Sequence, residues 1–429
     1  MIKEVLSYIK FLKIKDYEIY YTDYDSLSLT INRNKIDFVS EGKVSGLGIR
    51  LFIDGKLGFS STTNIKNYKN CIDTAIKIAR LSEKNKKFKS FMKEKGKSNI
   101  KAFDKRLLNF DIENAKEYVN NYISLIKNSN EKINISEGSY TKGISNIRII
   151  NSEGIDVNFL KASNAADAEI VMDNINIVSA QHETHPLDYK IGKEDVKRLL
   201  NLRNKKHVET KDMELLLHPE ALTDIMNNSF EFSIDGENVN QKKSILYNKL
   251  NQSVFDKKLT IVDDGTTKGL LNTTPYDDEG KVTKNNIIVK KGILKNFLYD
   301  SYNGYLVGKK STGNCSRSFN SMPNISPNNI IMEKGKSKDI LSEVKEGLYV
   351  RSLIGTHTMD TTTGDFSLGV MEGHYIKNGE IKNAVIDCMI AGNFFKLMKD
   401  IKAMNNKLEH SSGYYVPKIL FNKIKVIGK

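Results

Sequence analysis

Seven histidines, His182, His185, His207, His218, His357, His374 and His410, are the side chains best suited to metal binding or to proton transfer near neutral pH. The segment His182-Glu183-Thr184-His185-Pro186 brings two of them together. They stand three residues apart, not the four that put both imidazoles of an HExxH helix on one face, and Pro186 stops a helix there. The segment reads as the exposed end of a strand. His357, in GTHTMDTTTGDFS, and His374, in EGHYIKNGE, flank a stretch dense in Gly, Thr, Asp and Ser. Such a stretch supplies backbone N–H groups, hydroxyls and a carboxylate, as a binding loop on a rigid scaffold does. It equally describes a wide hairpin whose Thr and Asp side chains satisfy their own turn, and the residues leave both readings open. Asp277, Asp278 and Glu279 in YDDEGK carry oxygens for a hard cation, but as a contiguous acidic run ended by Gly280 they read as a solvated turn. Cys71, Cys315 and Cys388 lie far apart with no CxxC spacing, which encodes neither a disulfide framework nor a thiolate zinc knuckle. No GxxxxGK[ST] loop, no GxGxxG between strand and helix and no GxSxG elbow occurs. Residue types and spacing alone spell no catalytic constellation.

These residues must be positioned by a chain of 429 residues, roughly three structural units at typical domain size. Hydrophobic residues at 39% and charged residues at 28% give enough apolar matter for a core and exclude a disordered tail protein. The expected fold class is α+β. A first domain, 1–85, opens with an amphipathic helix (Ile2, Val5, Leu6, Ile9, Leu12) and continues as antiparallel sheet, with Asp54-Gly55 as a hairpin turn and a helix through Ile72, Ala75, Ile76 and Ala79. Residues 83–106, rich in lysine, read as a solvated connector. A middle α+β segment, 107–208, begins with a helix capped by Asp111, passes through strands turning at Ser152-Glu153-Gly154, and closes on the helix KEDVKRLLNLRNKK. The third domain, 212–429, is β-rich, with one helix entered through Pro219, turns at Lys291-Gly292 and Asn378-Gly379, and helices expected only near 337–346 and 391–404. No apolar run approaches the roughly 18 residues of a membrane span, so no membrane partner is expected and a reducing cytoplasm is the expected location. Lys+Arg 66 against Asp+Glu 52 leaves a formal charge of +14, but no basic stripe or base-stacking aromatic cluster accompanies it, and nucleic acid is not the expected partner.

The succession VDDG (262–265), YDDEGK (276–281), KKGILKNFLYDSYNGYLVGKKSTGN (290–314), LIGTHTMDTTTGDFSLGVMEGHYIKNGE (353–380), AVIDCMIAGN (384–393) and VPKILFNKIKVIG (416–428) resembles the TldD/PmbA family of metalloprotease-related proteins. EGKVSGLGIRLFIDGKLGFSST (41–62) is similar to the glycine-punctuated sheet at the start of those proteins, so the resemblance covers nearly the whole chain. TldD-like members carry an HExxxH segment and a later cysteine that together hold zinc. The corresponding segment here is His218-Pro219-Glu220-Ala221-Leu222-Thr223, with Pro219 in the place of the acid/base Glu and Thr223 in that of the second histidine, and no cysteine follows Cys388. The resemblance therefore implies the PmbA branch, also called TldE, with no catalytic residue and no metal on this chain.

By the same resemblance the chain is expected to pair with a TldD-type homologous subunit that carries zinc, in a complex that degrades or processes unfolded peptides. A homodimer stands as the alternative assembly. Sheet-rich walls accept an extended peptide as an added strand, and Gly355, Thr356, His357, Thr363, Gly364, Asp365 and Ser367 are the expected substrate-binding residues. Two other readings compete: a self-sufficient metallopeptidase built on His357, His374 and a carboxylate, and a basic nucleic-acid-binding protein.

Overall fold

The structure is a computed structural model and describes residues 2–429. Helix α1 (Ile2–Phe11) precedes three antiparallel strands, β1 (Asp16–Asn32), β2 (Lys35–Ile53) and β3 (Lys56–Thr62), and helix α2 (Tyr68–Leu81). After residues 83–106 come α3 (Ile112–Ser129), β4 (Asn134–Asn151), β5 (Asp156–Met172), β6 (Ile175–Glu183) and α4 (Gly192–Asn201). The six strands form one sheet in the order β3-β2-β1-β4-β5-β6, so the first two expected units share a single set of hydrogen bonds. Alternation along β1 sorts its faces. Ile19 packs with Val5, Ile9, Ile72 and Ala75 under α1 and α2, and Leu27, Leu29 and Ile31 pack with Val119, Tyr122 and Ile126 under α3 and α4. Tyr20, pointing the other way, joins Met92, Ile149 and Phe159.

In the third domain β7 (Lys211–Leu217) pairs in parallel with Glu346–Ile354 and antiparallel with Tyr414–Ile427. Strands Glu346–Ile354, Asp365–Lys377, Met389–Asn393 and Tyr414–Ile427 are linked edge to edge, so with β7 they close into a ring. Helix α5 (Pro219–Ile234) buries Ala221, Leu222, Ile225, Met226, Phe230 and Ile234 against it. Pro219 occupies the first turn of α5 and Asp111 forms a capping box at α3, as expected.

Three expectations are corrected. Residues 337–346 hold a turn at 340–343 and the first residue of a strand, not a helix: Ile340 and Val344 satisfy their spacing by tucking against Leu216, Ile376 and Leu420. In 391–404 only Phe394–Leu397 is helical, because strands Met389–Asn393 and Ile401–Ser411 claim the flanks. The lysine-rich connector is pinned at Phe91 and Met92, both buried, with the Phe88 ring tilted against Phe52 at 4.2 Å and the Arg50 guanidinium 5.2 Å from the Phe91 ring.

Candidate functional site

The acidic run expected to be a solvated turn is buried: Asp277, Asp278 and Glu279 are 2%, 5% and 1% exposed. Its backbone and two guanidiniums account for this. Asp277 accepts the amides of Glu279 (3.0 Å), Lys281 (2.9 Å) and Cys315 (3.2 Å). Glu279 accepts from the Ser301 hydroxyl at 2.7 Å and amide at 2.9 Å, and meets Arg50 at 3.4 Å. Arg50 and Arg317 converge on Glu18 of β1, at 2.7 and 2.5 Å. Burial opposes the charge on Arg50, but Glu18 and Glu279 more than offset it and hold the guanidinium protonated. Desolvation, then Glu279, lifts the neighbouring Cys315 thiol well above its usual range, so it is an inert thiol. The cluster joins the first sheet to the loops of the third domain. Gly280, at φ +81, has no room for a side chain: a Cβ would lie 2.5 Å from Ile155 of the opposite unit.

Above this cluster a cleft of about 560 Å³ separates β4 and β5 from loops of the third domain. The register sets Ser145 opposite Lys161 and Gly143 opposite Ser163, so these residues share one face. Across the cleft stand Asn272, Asn314 and Asn328. Asn314 and Asn328 are held from behind by Asp263, fully buried, which accepts from Asn314 Nδ2 at 2.7 Å and the Asn328 amide at 2.5 Å. Burial pushes the Asp263 carboxyl up to about 6 against the pull of these donors, which leaves it ionised at neutral pH. The VDDG and STGN segments, about fifty residues apart in sequence, thus meet as acceptor and donors.

The expected binding residues lie elsewhere, in the segment joining Glu346–Ile354 to Asp365–Lys377 and at the start of the latter strand. His357, Thr363, Asp365 and Ser367 are exposed, Gly355 and Thr356 half-buried, and Gly364 buried against Phe395. Asp360 accepts the amides of Thr362 and Thr363, and Asn393 Nδ2 donates to Asp365 at 2.8 Å, so much of the polar matter here orders its own turn. His374 is buried beside the carbonyl of Asn201, at the end of the hairpin remote from His357. The structure does not bring these two histidines together.

His218 caps α5. Its Nδ1 accepts the Glu220 amide at 3.2 Å and its Nε2 donates to Glu409 at 3.0 Å, which fixes the neutral Nε2–H tautomer; burial lowers its pKa in the same sense. Glu220 is paired with Arg351 at 2.8 Å and lies 3.7 Å from Arg198, which reaches from α4 to Glu372 at 2.8 Å. The Thr223 hydroxyl is buried without a partner among the described residues. Glu18, Arg50, Arg198, Arg317 and Arg351 were not singled out from the sequence. The available signal was a charge inside an apolar strand or helix pattern, as in GIRLFI and VKRLL.

A model of the PmbA/TldA metallopeptidase C-terminal domain matches residues 210–428, and one of the PmbA/TldA metallopeptidase domain 1 matches residues 17–79. An uncharacterized protein of Methanocaldococcus jannaschii is 29% identical over 414 residues, covering 96% of this chain and 94% of the other. A metalloprotease PmbA homolog of Haemophilus influenzae is 24% identical over 427 residues, covering 96% and 92%. The crystal structure of TldE from Thermococcus kodakarensis shares the fold at a TM-score of 0.92, with 22% identity and 99% of each chain covered.

Proposed function

Since the chain belongs to the PmbA/TldD metallopeptidase family, we propose that it is a PmbA/TldE-like subunit of a two-chain peptidase, without zinc of its own, that acts on unfolded peptides with a TldD-type partner. The observation that carries this reading is the state of His218. A hydrolytic zinc site needs three protein ligands, an open position for water and a carboxylate to take its proton. Here both ring nitrogens of the sole histidine at that position are engaged, Glu220 is neutralised by Arg351, and Thr223 offers only a hydroxyl. These residues do not fit the metal, which is assigned to the partner. The segment carrying Gly355, Thr356, His357, Thr363, Gly364, Asp365 and Ser367, exposed at His357, Thr363, Asp365 and Ser367, is assigned to the wall of a groove shared with that partner, where an extended peptide is held through its backbone. A cytoplasmic location accords with this role; no helix of the described residues is long and apolar enough to cross a membrane.

The test is co-expression with a TldD-type chain from the same source, followed by zinc analysis and assay of an unfolded peptide for each chain and for the mixture. The expected outcome is no stoichiometric zinc and no hydrolysis from this chain alone, and activity of the mixture above the sum of the parts. Stoichiometric zinc in the lone chain, with hydrolysis lost in His357→Ala, overturns the reading in favour of a self-sufficient metallopeptidase.

A further inference from the structure

The cleft between β4–β5 and the third domain presents two unlike walls. On the sheet side the hydroxyls of Thr141, Ser145 and Ser163 have no hydrogen-bond partner among the described residues, and Lys161 stands among them. The Lys161 ammonium has one ion partner, Asp278 at 3.4 Å, and that carboxylate already accepts the Arg317 amide at 3.0 Å. Its side chain is 38% exposed, so ammonium hydrogens remain for a ligand. On the loop side Asn272 and Asn328 spend their NH₂ groups on the carbonyls of Asn328 (2.8 Å) and Gly313 (3.2 Å), which leaves both amide oxygens as acceptors. One wall therefore offers a cation and hydroxyls, the other amide oxygens.

We infer that this cleft captures the free carboxylate end of a short peptide, with Lys161 pairing the carboxylate and the asparagine oxygens accepting its amide hydrogens. The inference rests on the peptide-handling reading above and adds the end of the chain that is recognised. Of the other basic side chains, Lys142 lines the same cleft and makes one hydrogen bond, to the Phe110 carbonyl, while the Arg317 guanidinium lies behind the lining, buried against Glu18. The open donors at the cleft are thus ammoniums and hydroxyls with no guanidinium among them, which suits a carboxylate, whereas phosphate recognition favours a bidentate guanidinium. Asp277, also on the cleft, is saturated by three backbone amides. The volume lies in the range of small-ligand sites. Because β4 and β5 are interior strands, each paired on both sides, this wall has no free backbone edge, and recognition here is by side chains, unlike strand addition.

The probe is pentaalanine with an N-terminal fluorophore, as free acid and as C-terminal carboxamide, titrated against the full chain alone by fluorescence anisotropy. The free acid is expected to bind about tenfold more tightly than the carboxamide, the worth of one charge-assisted contact. Lys161→Gln should remove that preference and leave carboxamide affinity unchanged. Ser145→Val, which does not touch Asp278, should weaken the free acid as well and decides the matter if Lys161→Gln fails to fold. Equal affinity of acid and amide, or no binding of either, overturns the inference. Because the lone chain is titrated without zinc or partner, that failure is separable from failure of the two-chain reading.

Discussion

With Nδ1 accepting a backbone amide and Nε2 donating to Glu409, His218 has no lone pair left to offer. The cost of burying it falls on the carboxylate. The hydrogen bond from His218, joined by Lys418 and opposed by desolvation, holds the Glu409 carboxyl down at about 2. A carboxyl whose folded pKa lies below its unfolded value near 4.5 contributes stability that is present above that value and is lost as pH falls toward 2. At full burial such a displacement corresponds to about 3 kcal/mol, and partial solvent access brings the expectation to about 1–2 kcal/mol. Glu409→Gln should be less stable than the parent by that amount at pH 7, with the difference closing between pH 4.5 and 2. Urea unfolding of both proteins at pH 7, 4 and 2.5 measures it; a difference that does not change with pH assigns the stability to packing instead.

At the scale of elements, the hairpin β2–β3 carries two glycines with different duties. Gly55 turns the hairpin at φ +82 with only the flexible Lys84 nearby, whereas a Cβ on Gly58 would collide with the Ala75 carbonyl oxygen of α2. Gly55→Ala should therefore cost about 1 kcal/mol of backbone strain. Gly58→Ala should cost more, about 2–3 kcal/mol, because α2 has to lift off β3 and open the cluster around Ile72 and Ala75. Thermal midpoints of the two variants rank them, and the reverse order removes this account of the packing. The hairpin itself was legible, since Asp54-Gly55 between alternating runs is a local signal, and so were the Asp111 cap and Pro219 entry. What misled was local polarity. Asp277-Asp278-Glu279 has the composition of a solvated turn, and only contacts with Arg50 and Arg317, hundreds and tens of residues away, reverse it. The cleft was illegible for the same reason, because Lys161 meets Asp278 and Asn314 meets Asp263 through tertiary contacts that no spacing rule encodes.

For the molecule as a whole, two buried ion clusters join the six-stranded sheet and its helices to the third domain. One runs from Glu18 and Arg50 to Glu279 and Arg317, the other from Arg198 on α4 to Glu220 and Glu372. Charges placed at a joint, not in either core, leave each unit its own apolar interior and make the contact between units depend on geometry. Glu18 is the point where this is most exposed to test, since it is fully buried and serves two guanidiniums at once. Replacing it with Gln keeps the shape but leaves two buried cations with Glu279 as the remaining carboxylate, a loss of about 3–5 kcal/mol if the charge stays uncompensated. Most of that loss falls on the junction, so calorimetry of Glu18→Gln should show the sheet unit and the ring unit melting apart where the parent melts in one transition. Leu29→Ala, deep under α3, should instead lower the sheet's stability without separating the two units' response at the junction. If Glu18→Gln melts in one transition at the parent's temperature, the ions are passengers and the apolar contacts of Tyr20, Met92 and Tyr276 hold the two units together.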